Sequence, residues 1–199
     1  LNKQQLTAVN CDEGNKLVLA GAGSGKTRVL TYRVAKLIKD FNIRPSDILA
    51  LTFTNKASRE MKERIESLLR ISSQGLWFGT FHGICRRILK IHWKEAELSE
   101  RFTILDSQDQ LRLIKRIIKT NNLDEKLYDA KSIQSFINRK KDNGIRSNQT
   151  SEKDDEVYIL VYKEYESILK QTFSVDFADL ILKTYELLLN HENILSYYV

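Results

Sequence analysis

The sequence predicts an α/β protein whose N-terminal part carries short parallel strands and whose remainder is all-helical. Three observations predict this class. An apolar stretch at residues 17–19 leads into a glycine-rich loop and a helix, a second apolar run occupies residues 48–53, and no strand pattern follows Trp93. A strand, a helix and a second strand in this order form a βαβ unit with parallel strands and a right-handed crossover.

Length and composition limit the possible protein classes. The chain has 199 residues, 42% of them hydrophobic, which suits one domain or one domain with an insertion. Its net charge of +6 permits a polyanionic partner without requiring one. Two cysteines, Cys11 and Cys85, are too few for a disulfide framework, and no apolar run suggests a membrane span or a signal peptide. We therefore expect a reduced, cytoplasmic protein with no membrane partner.

The loop after the first strand has the pattern of a phosphate-binding site. It ends with Gly25, Lys26 and Thr27, and its glycines let the backbone bend so that several N–H groups point at one spot. The N-terminus of the next helix adds positive charge there. Lys26 is predicted to reach the outer phosphates of a triphosphate, and the Thr27 hydroxyl to ligate Mg²⁺. The predicted phosphate-site residues are Ala20, Gly21, Ala22, Gly23, Ser24, Gly25, Lys26 and Thr27.

The other elements of the α/β part follow from apolar spacing. A short helix is expected at residues 2–11, before a buried strand at 17–19, and the helix after the loop should extend to about Lys39. The continuous run at 48–53 is typical of a strand covered on both faces. A helix capped by Thr54 or Asn55 should follow. Next we expect a short strand at 76–78, a turn at 79–83 and a third helix carrying Ile84, Ile88 and Ile91.

Beyond Trp93 the sequence predicts helices only. Ser107 and Gln110 have the spacing of a capping box for a helix over residues 108–119. A helix over 130–141 should end at Asn143 and Gly144, which form a left-handed stop signal, before a polar loop at 147–155. The remaining helices are predicted around Val157, Val161, Tyr165 and Ile168, then over residues 176–189 and 192–198.

Several separate motifs along the chain resemble the N-terminal part of superfamily 1 DNA helicases of the UvrD/PcrA/Rep type. Residues 1–9 are similar to the family's Q motif, and residues 20–27 to its phosphate loop, in which alanine is usual at the first position. The further matching segments are residues 52–57, 78–83, 104–111 and 175–180.

This resemblance implies a P-loop NTPase with a RecA-like parallel sheet and an inserted all-helical subdomain. The expected boundaries are residues 1–93 for the first part of the ATP-binding core, 94–173 for the insertion and 174–199 for the return to the core. It implies a motor that uses ATP and Mg²⁺, moves 3′ to 5′ on single-stranded DNA and unwinds duplex DNA, often in the repair of DNA damage. The acidic pair that activates water, and a second motor domain with arginine fingers, are expected beyond Val199; repair proteins are possible further partners.

The resemblance also assigns roles to individual residues. Gln5 is expected to contact adenine, although by spacing alone it reads as a solvated glutamine at a helix end. Arg28 is expected either near the nucleotide or on an exposed helix face. Phe53 would stack on a base, with Thr54 and Asn55 on phosphate oxygens; the alternative is a core phenylalanine and a helix cap. For the DNA backbone the expected contacts are Thr80 and His82, which otherwise read as part of a capped turn.

Three basic groups are candidates for further DNA contacts, although each alone also reads as a solvated helix face. They are Arg86-Arg87-Lys90, Lys115-Arg116-Lys119 and Arg139-Lys140-Lys141, and the prediction favours Arg139, Lys140 and Lys141. Asp176 and Asp179 lie one helical turn apart and are predicted to be structural, since a helix N-terminus favours acids.

Other functions remain open at this point. A small-molecule kinase shares the phosphate loop, and a non-hydrolysing nucleotide switch would need only binding. A helicase-nuclease subunit shares the same motifs.

Overall fold

The computed structural model describes residues 1–11, 14–70 and 75–198, and the chain divides into two compact units. Unit 1 is Leu1–Ile84 and unit 2 is Cys85–Val199. The division falls before the predicted boundary at residue 93, and residues 174–199 belong to unit 2. The return of that segment to the ATP-binding core therefore stays a prediction.

Unit 1 is a small α/β unit with one pair of parallel strands. Strand β1 pairs with β2, with Leu49 opposite Trp77 and Leu51 opposite Gly79, so β1, α3 and β2 form a βαβ arrangement. The unit that was predicted, residues 17–19 with α2 and β1, is not formed among the described residues. The core contains Val34, Ile48, Ala50, Met61, Ile65 and Leu76, from the strands and the helices that pack on them. The elements are α1 (Lys3–Val9), α2 (Lys26–Lys39), a 3₁₀ turn (Pro45–Asp47), β1 (Leu49–Leu51), α3 (Asn55–Leu69), β2 (Trp77–Gly79) and the start of α4 (Phe81–Ile91).

The strand predicted at residues 17–19 is not formed among the described residues. The segment has no sheet partner, and Leu17 and Leu19 are 83% and 84% exposed. An extended apolar segment becomes a strand only when a neighbouring strand satisfies its backbone groups, and no described strand pairs with this segment. The prediction that β1 is covered on both faces is also wrong, because Leu49 is 56% exposed.

Unit 2 is mainly helical and has the larger apolar core. Helices α5, α6 and α7 bury Ile114, Ile133 and Tyr162 among others in a shared cluster. The elements are α5 (Ser107–Thr120), α6 (Ala130–Asp142), a 3₁₀ turn (Ser147–Gln149), α7 (Glu156–Gln171), α8 (Phe177–Asn190) and α9 (Glu192–Tyr198). Two short parallel strands, β3 (Thr103–Ile104) and β4 (Ser174–Val175), correct the prediction that no strand follows Trp93. At two residues each they are too short to leave an apolar pattern in the sequence.

Helix ends in unit 2 depend on particular caps. Helix α6 ends at the predicted stop, with Asn143 as its C-cap and Gly144 at φ +75°. The capping box predicted for α5 is wrong: Asp106 is the N-cap and accepts hydrogen bonds from the backbone N–H groups of Gln108 and Asp109, both at 2.8 Å. None of the helices in the described part of the chain combines the length and apolar character of a membrane span.

Candidate functional site

The glycine-rich loop of unit 1 has the backbone that its sequence predicts. Gly23 and Gly25 have φ values of +75° and +87°, and Gly25 is the N-cap of α2. The Ser24 hydroxyl donates to the Gly21 carbonyl at 2.7 Å, which closes the turn. Helix α2 begins at Lys26, so its first N–H groups have no partner within the helix and point toward the loop. Backbone N–H groups in this arrangement suit an anion.

Lys26 supplies the positive charge of this loop. Its ammonium group donates to the carbonyls of Ala20 and Gly21, each at 2.7 Å, and so lies over the loop. Ideal Cβ atoms built on Gly21 and Gly23 would have no atom within 4 Å, so space beside the loop is open. In the described part of the chain the Thr27 hydroxyl has no hydrogen-bond partner. The residues present therefore fit a phosphate group, with Thr27 placed to hold an accompanying Mg²⁺.

Gln5 is held against the loop from helix α1. Its Nε2 donates to the Ser24 carbonyl at 2.9 Å, while its Oε1 accepts from the Asn2 N–H at 2.9 Å. The Gln5 N–H in turn donates to Asn2 Oδ1 at 2.8 Å, so the two residues form a capping box. The role of Asn2 was not predicted, although its three-residue spacing from Gln5 could have indicated a capping box.

Arg28 lies on the exposed side of α2, near the loop. Its guanidinium carbon is 5.9 Å from the ring centre of Tyr32, one helical turn away. The two side chains line a cleft between α2 and α3 together with Arg64 and Ser67. Arg28 is therefore exposed on its helix, as one of the two expectations has it, and a position near the nucleotide stays a prediction.

The carboxyl edge of the β1–β2 pair brings two predicted groups together. The strands are parallel, and the Thr52 N–H donates to the Gly79 carbonyl at 2.9 Å beyond the last paired residues. The residues that leave this edge are therefore neighbours in space: Phe53, Thr54 and Asn55 after β1, and Thr80 and His82 after β2.

Each of these side chains has a defined local setting. Phe53 is 99% exposed, which rules out the alternative of a core phenylalanine. Thr54 caps α3 by accepting a hydrogen bond from the Ala57 N–H at 3.1 Å, and Asn55 is exposed at the first position of that helix. The Thr80 hydroxyl accepts from the Gly83 N–H at 3.2 Å, and His82 is half-buried. An exposed aromatic ring beside exposed helix N-termini suits a single nucleic-acid strand.

The structure corrects the predicted DNA contacts on α6, which are Arg139, Lys140 and Lys141. Lys141 is 2% exposed, and its ammonium group lies 2.7 Å from both Asp176 Oδ2 and Asp179 Oδ2. The prediction of a DNA contact at Lys141 is therefore wrong, because a buried cation with two carboxylate partners has no access to a ligand. Lys140 is paired with Asp154 at 2.6 Å, whereas Arg139 is exposed.

Lys141 belongs to a buried ionic cluster that joins α6 to α8. Arg146 donates from Nη1 to Asp179 Oδ1 at 2.7 Å, and from Nε and Nη2 to the two carboxylate oxygens of Glu186, each at 2.6 Å. Burial by itself raises the pKa of Asp179, but Lys141 and Arg146 outweigh it and hold that pKa below its ordinary value. The Tyr165 hydroxyl, whose pKa burial and Asp176 raise, donates to Asp176 Oδ2 at 2.8 Å. The two aspartates are structural, as predicted.

Comparisons with known proteins point to one family. A family model described as the UvrD/REP helicase N-terminal domain matches residues 1–199. DNA helicase II of Escherichia coli (strain K12) is 46% identical over 201 residues, which cover 100% of this chain and 28% of that protein. ATP-dependent DNA helicase PcrA of Bacillus subtilis (strain 168) is 43% identical over 202 residues, covering 100% of this chain and 27% of that protein. The chain thus spans little more than a quarter of the length of these relatives.

Proposed function

Because the chain belongs to the family of UvrD/REP helicase N-terminal domains, we propose that it is the nucleotide-binding motor domain of an ATP-dependent DNA helicase. The observation that carries the proposal is the loop at residues 20–27, where the Lys26 ammonium group lies over the loop at the start of α2. The proposed fold is that of a P-loop NTPase with a RecA-like sheet and an inserted helical subdomain.

In this proposal the loop residues hold the triphosphate of ATP. Backbone N–H groups from Gly21 to Arg28 surround the phosphates, and Lys26 leaves its carbonyl partners to neutralise charge on the outer phosphates. The Thr27 hydroxyl holds Mg²⁺, which when bound supplies further positive charge to the phosphates. Gln5 is proposed to contact adenine by exchanging its bond to Ser24 for bonds to a donor and an acceptor of the base. Arg28 is proposed to lie near the nucleotide.

DNA contacts are proposed at the edge of the β1–β2 pair. Phe53 would stack on a base of single-stranded DNA, a contact worth about 1–3 kcal/mol. Thr54, Asn55, Thr80 and His82 would contact phosphate oxygens, and Arg139 would add a contact from unit 2. Lys140 would contact DNA only after its ion pair with Asp154 breaks.

The finer features of the activity are also proposals. They are movement in the 3′ to 5′ direction, unwinding of duplex DNA, a role in the repair of DNA damage, and a cytoplasmic location. A second motor domain of the same protein would complete the site and supply arginine side chains. Alternate closing and opening of the two domains would couple nucleotide turnover to movement on the strand.

Substitution of Lys26 tests this function. In the intact protein, Lys26→Ala should reduce DNA-stimulated ATP hydrolysis and duplex unwinding by at least about a hundredfold, since Lys26 is the loop's one cation. Lys62→Ala, which removes an exposed lysine of α3, is the matched control and should leave both activities unchanged. Duplexes with 3′ or 5′ tails measure direction. Normal unwinding by Lys26→Ala, or phosphate transfer to a small molecule without DNA stimulation, would refute the proposal.

A further inference from the structure

We propose that the exposed face of α5 (Ser107–Thr120) is a contact surface for the phosphate backbone of duplex DNA, an inference that rests on the proposed function. Four cations lie on this face: Arg112, Lys115, Arg116 and Lys119. The one acidic residue within the helix, Asp109, lies in its first turn and pairs with Arg112 at 2.8 Å. The face therefore carries a net excess of positive charge.

Packing of the opposite face determines which way these cations point. Ile114, Ile117 and Ile118 are at most 1% exposed and belong to the core of unit 2, so the helix has one possible rotation. At 3.6 residues per turn, positions 112, 115, 116 and 119 form a row that is about 10.5 Å long and spans about 100° of the helix circumference. Duplex DNA presents one phosphate per about 3.4 Å of axis on each strand, so the row matches several phosphates.

The three cations of the second half of this face are free to bind an anion. Within the described residues, Lys115, Arg116 and Lys119 form no ion pair or hydrogen bond through their side chains. Like charges four residues apart, as at Lys115 and Lys119 or Arg112 and Arg116, destabilise a helix by a few tenths of a kcal/mol per pair. A polyanion would relieve this repulsion, whereas binding at Lys140 or Lys141 would first break existing pairs.

The composition of this face favours duplex over single-stranded DNA. Proteins that hold single strands interleave aromatic rings with basic residues, and α5 contains no aromatic residue. In unit 1, by contrast, Phe53 offers an exposed ring. A surface with cations alone suits the paired phosphates of a duplex, whose bases are stacked inside.

The salt dependence of binding tests this surface in the intact protein. Lys115→Gln, Arg116→Gln and Lys119→Gln, combined, should make the slope of log Kobs against log salt for a blunt duplex shallower by about 2.7, because each phosphate contact contributes about 0.9. The slope for an oligothymidylate strand and the ATP hydrolysis it stimulates should not change. Glutamine keeps the helix propensity of α5.

A second triple variant controls for total charge. Lys94→Gln, Lys153→Gln and Lys163→Gln remove three exposed cations from separate segments of unit 2 and should leave the duplex slope unchanged. An unchanged slope in the α5 variant, an equal change in both variants, or a change for the single strand only would overturn the α5 surface. If the unsubstituted protein neither bound DNA nor hydrolysed ATP faster in its presence, that result would instead refute the proposed function.

Discussion

At the scale of single residues, the geometry of the loop depends most on Gly25. It combines a left-handed backbone angle, φ +87°, with a close neighbour: a Cβ at this position would lie 2.8 Å from Gln5 Nε2. Gly21 has neither constraint, since no atom lies within 4 Å of its ideal Cβ. Two glycines that look equivalent in the sequence therefore differ in whether their positions tolerate a side chain.

This difference predicts unequal effects of alanine. We expect Gly25→Ala to lower the free energy of unfolding by about 1–2 kcal/mol, from left-handed strain and from displacement of Gln5. Gly21→Ala should cost less than about 0.5 kcal/mol. Urea denaturation of both variants measures the difference, and equal losses would contradict this account of the loop.

Gln5 and Lys141 show that the type of a residue does not determine whether its side chain can reach a ligand. Both are polar residues that were predicted to contact a ligand, Gln5 from the family resemblance and Lys141 from a run of basic residues. Gln5 lies on the loop, bonded to Ser24, whereas Lys141 is buried between two aspartates. Nothing in the basic run at residues 139–141 indicates that Lys141 is buried and Arg139 exposed. Their burial depends on which side of α6 packs against α8.

At the scale of elements, helices were predicted closely and their caps less so. The bounds predicted for α8 and α9 and the predicted end of α2 lie within one residue of those observed, because each helix buries one face of its own side chains. The start of α5 was predicted from the spacing of Ser107 and Gln110, but Gln110 is instead buried and donates to Asn138 Oδ1 at 2.8 Å. Asp106 is left to cap the helix.

Capping by Asp106 leads to a paired prediction. Asp106→Ala should lower the free energy of unfolding by about 1 kcal/mol, because two backbone N–H groups lose their acceptor. Ser107→Ala should cost less than about 0.5 kcal/mol, since its hydroxyl takes part in one long contact, 3.4 Å from Gln134 Nε2. The midpoints of urea denaturation measure the loss of stability in both variants. A larger loss for Ser107→Ala than for Asp106→Ala would support the predicted capping box instead.

At the scale of the whole molecule, the buried ionic cluster of unit 2 links stability to pH. Lys141 and Arg146 hold the pKa of Asp179 below its unfolded value despite burial, so the folded state favours the charged carboxylate. The sign follows: this stabilisation is present above the unfolded pKa of about 4 and is lost as pH falls through the lowered folded pKa. Acid should therefore weaken the attachment of α8 to α6.

The predicted observable is the slope of stability against pH. The free energy of unfolding should fall between about pH 5 and pH 3 in the unsubstituted protein, and less steeply in Asp179→Asn, which has no proton to gain there. Asp179→Asn should also be less stable near neutral pH, because Lys141 and Arg146 lose a charged partner. Asp142→Asn, at the exposed end of α6, is the control and should keep the original slope; equal slopes in all three proteins would contradict the linkage.

The sequence by itself determined the helices, the order of strand and helix around β1, and the conformation of the loop at residues 20–27, because apolar spacing, caps and glycines act within a few residues. The motifs determined the family for the same reason: each is a short run of adjacent residues. Only the tertiary structure decided that Phe53 is exposed and that Lys141 is buried. It also decided that, among the described residues, the segment 17–19 has no sheet partner and Lys115, Arg116 and Lys119 have no ion pair. Those outcomes depend on which neighbours supply hydrogen bonds, cover and opposite charge, and those neighbours are distant in the chain.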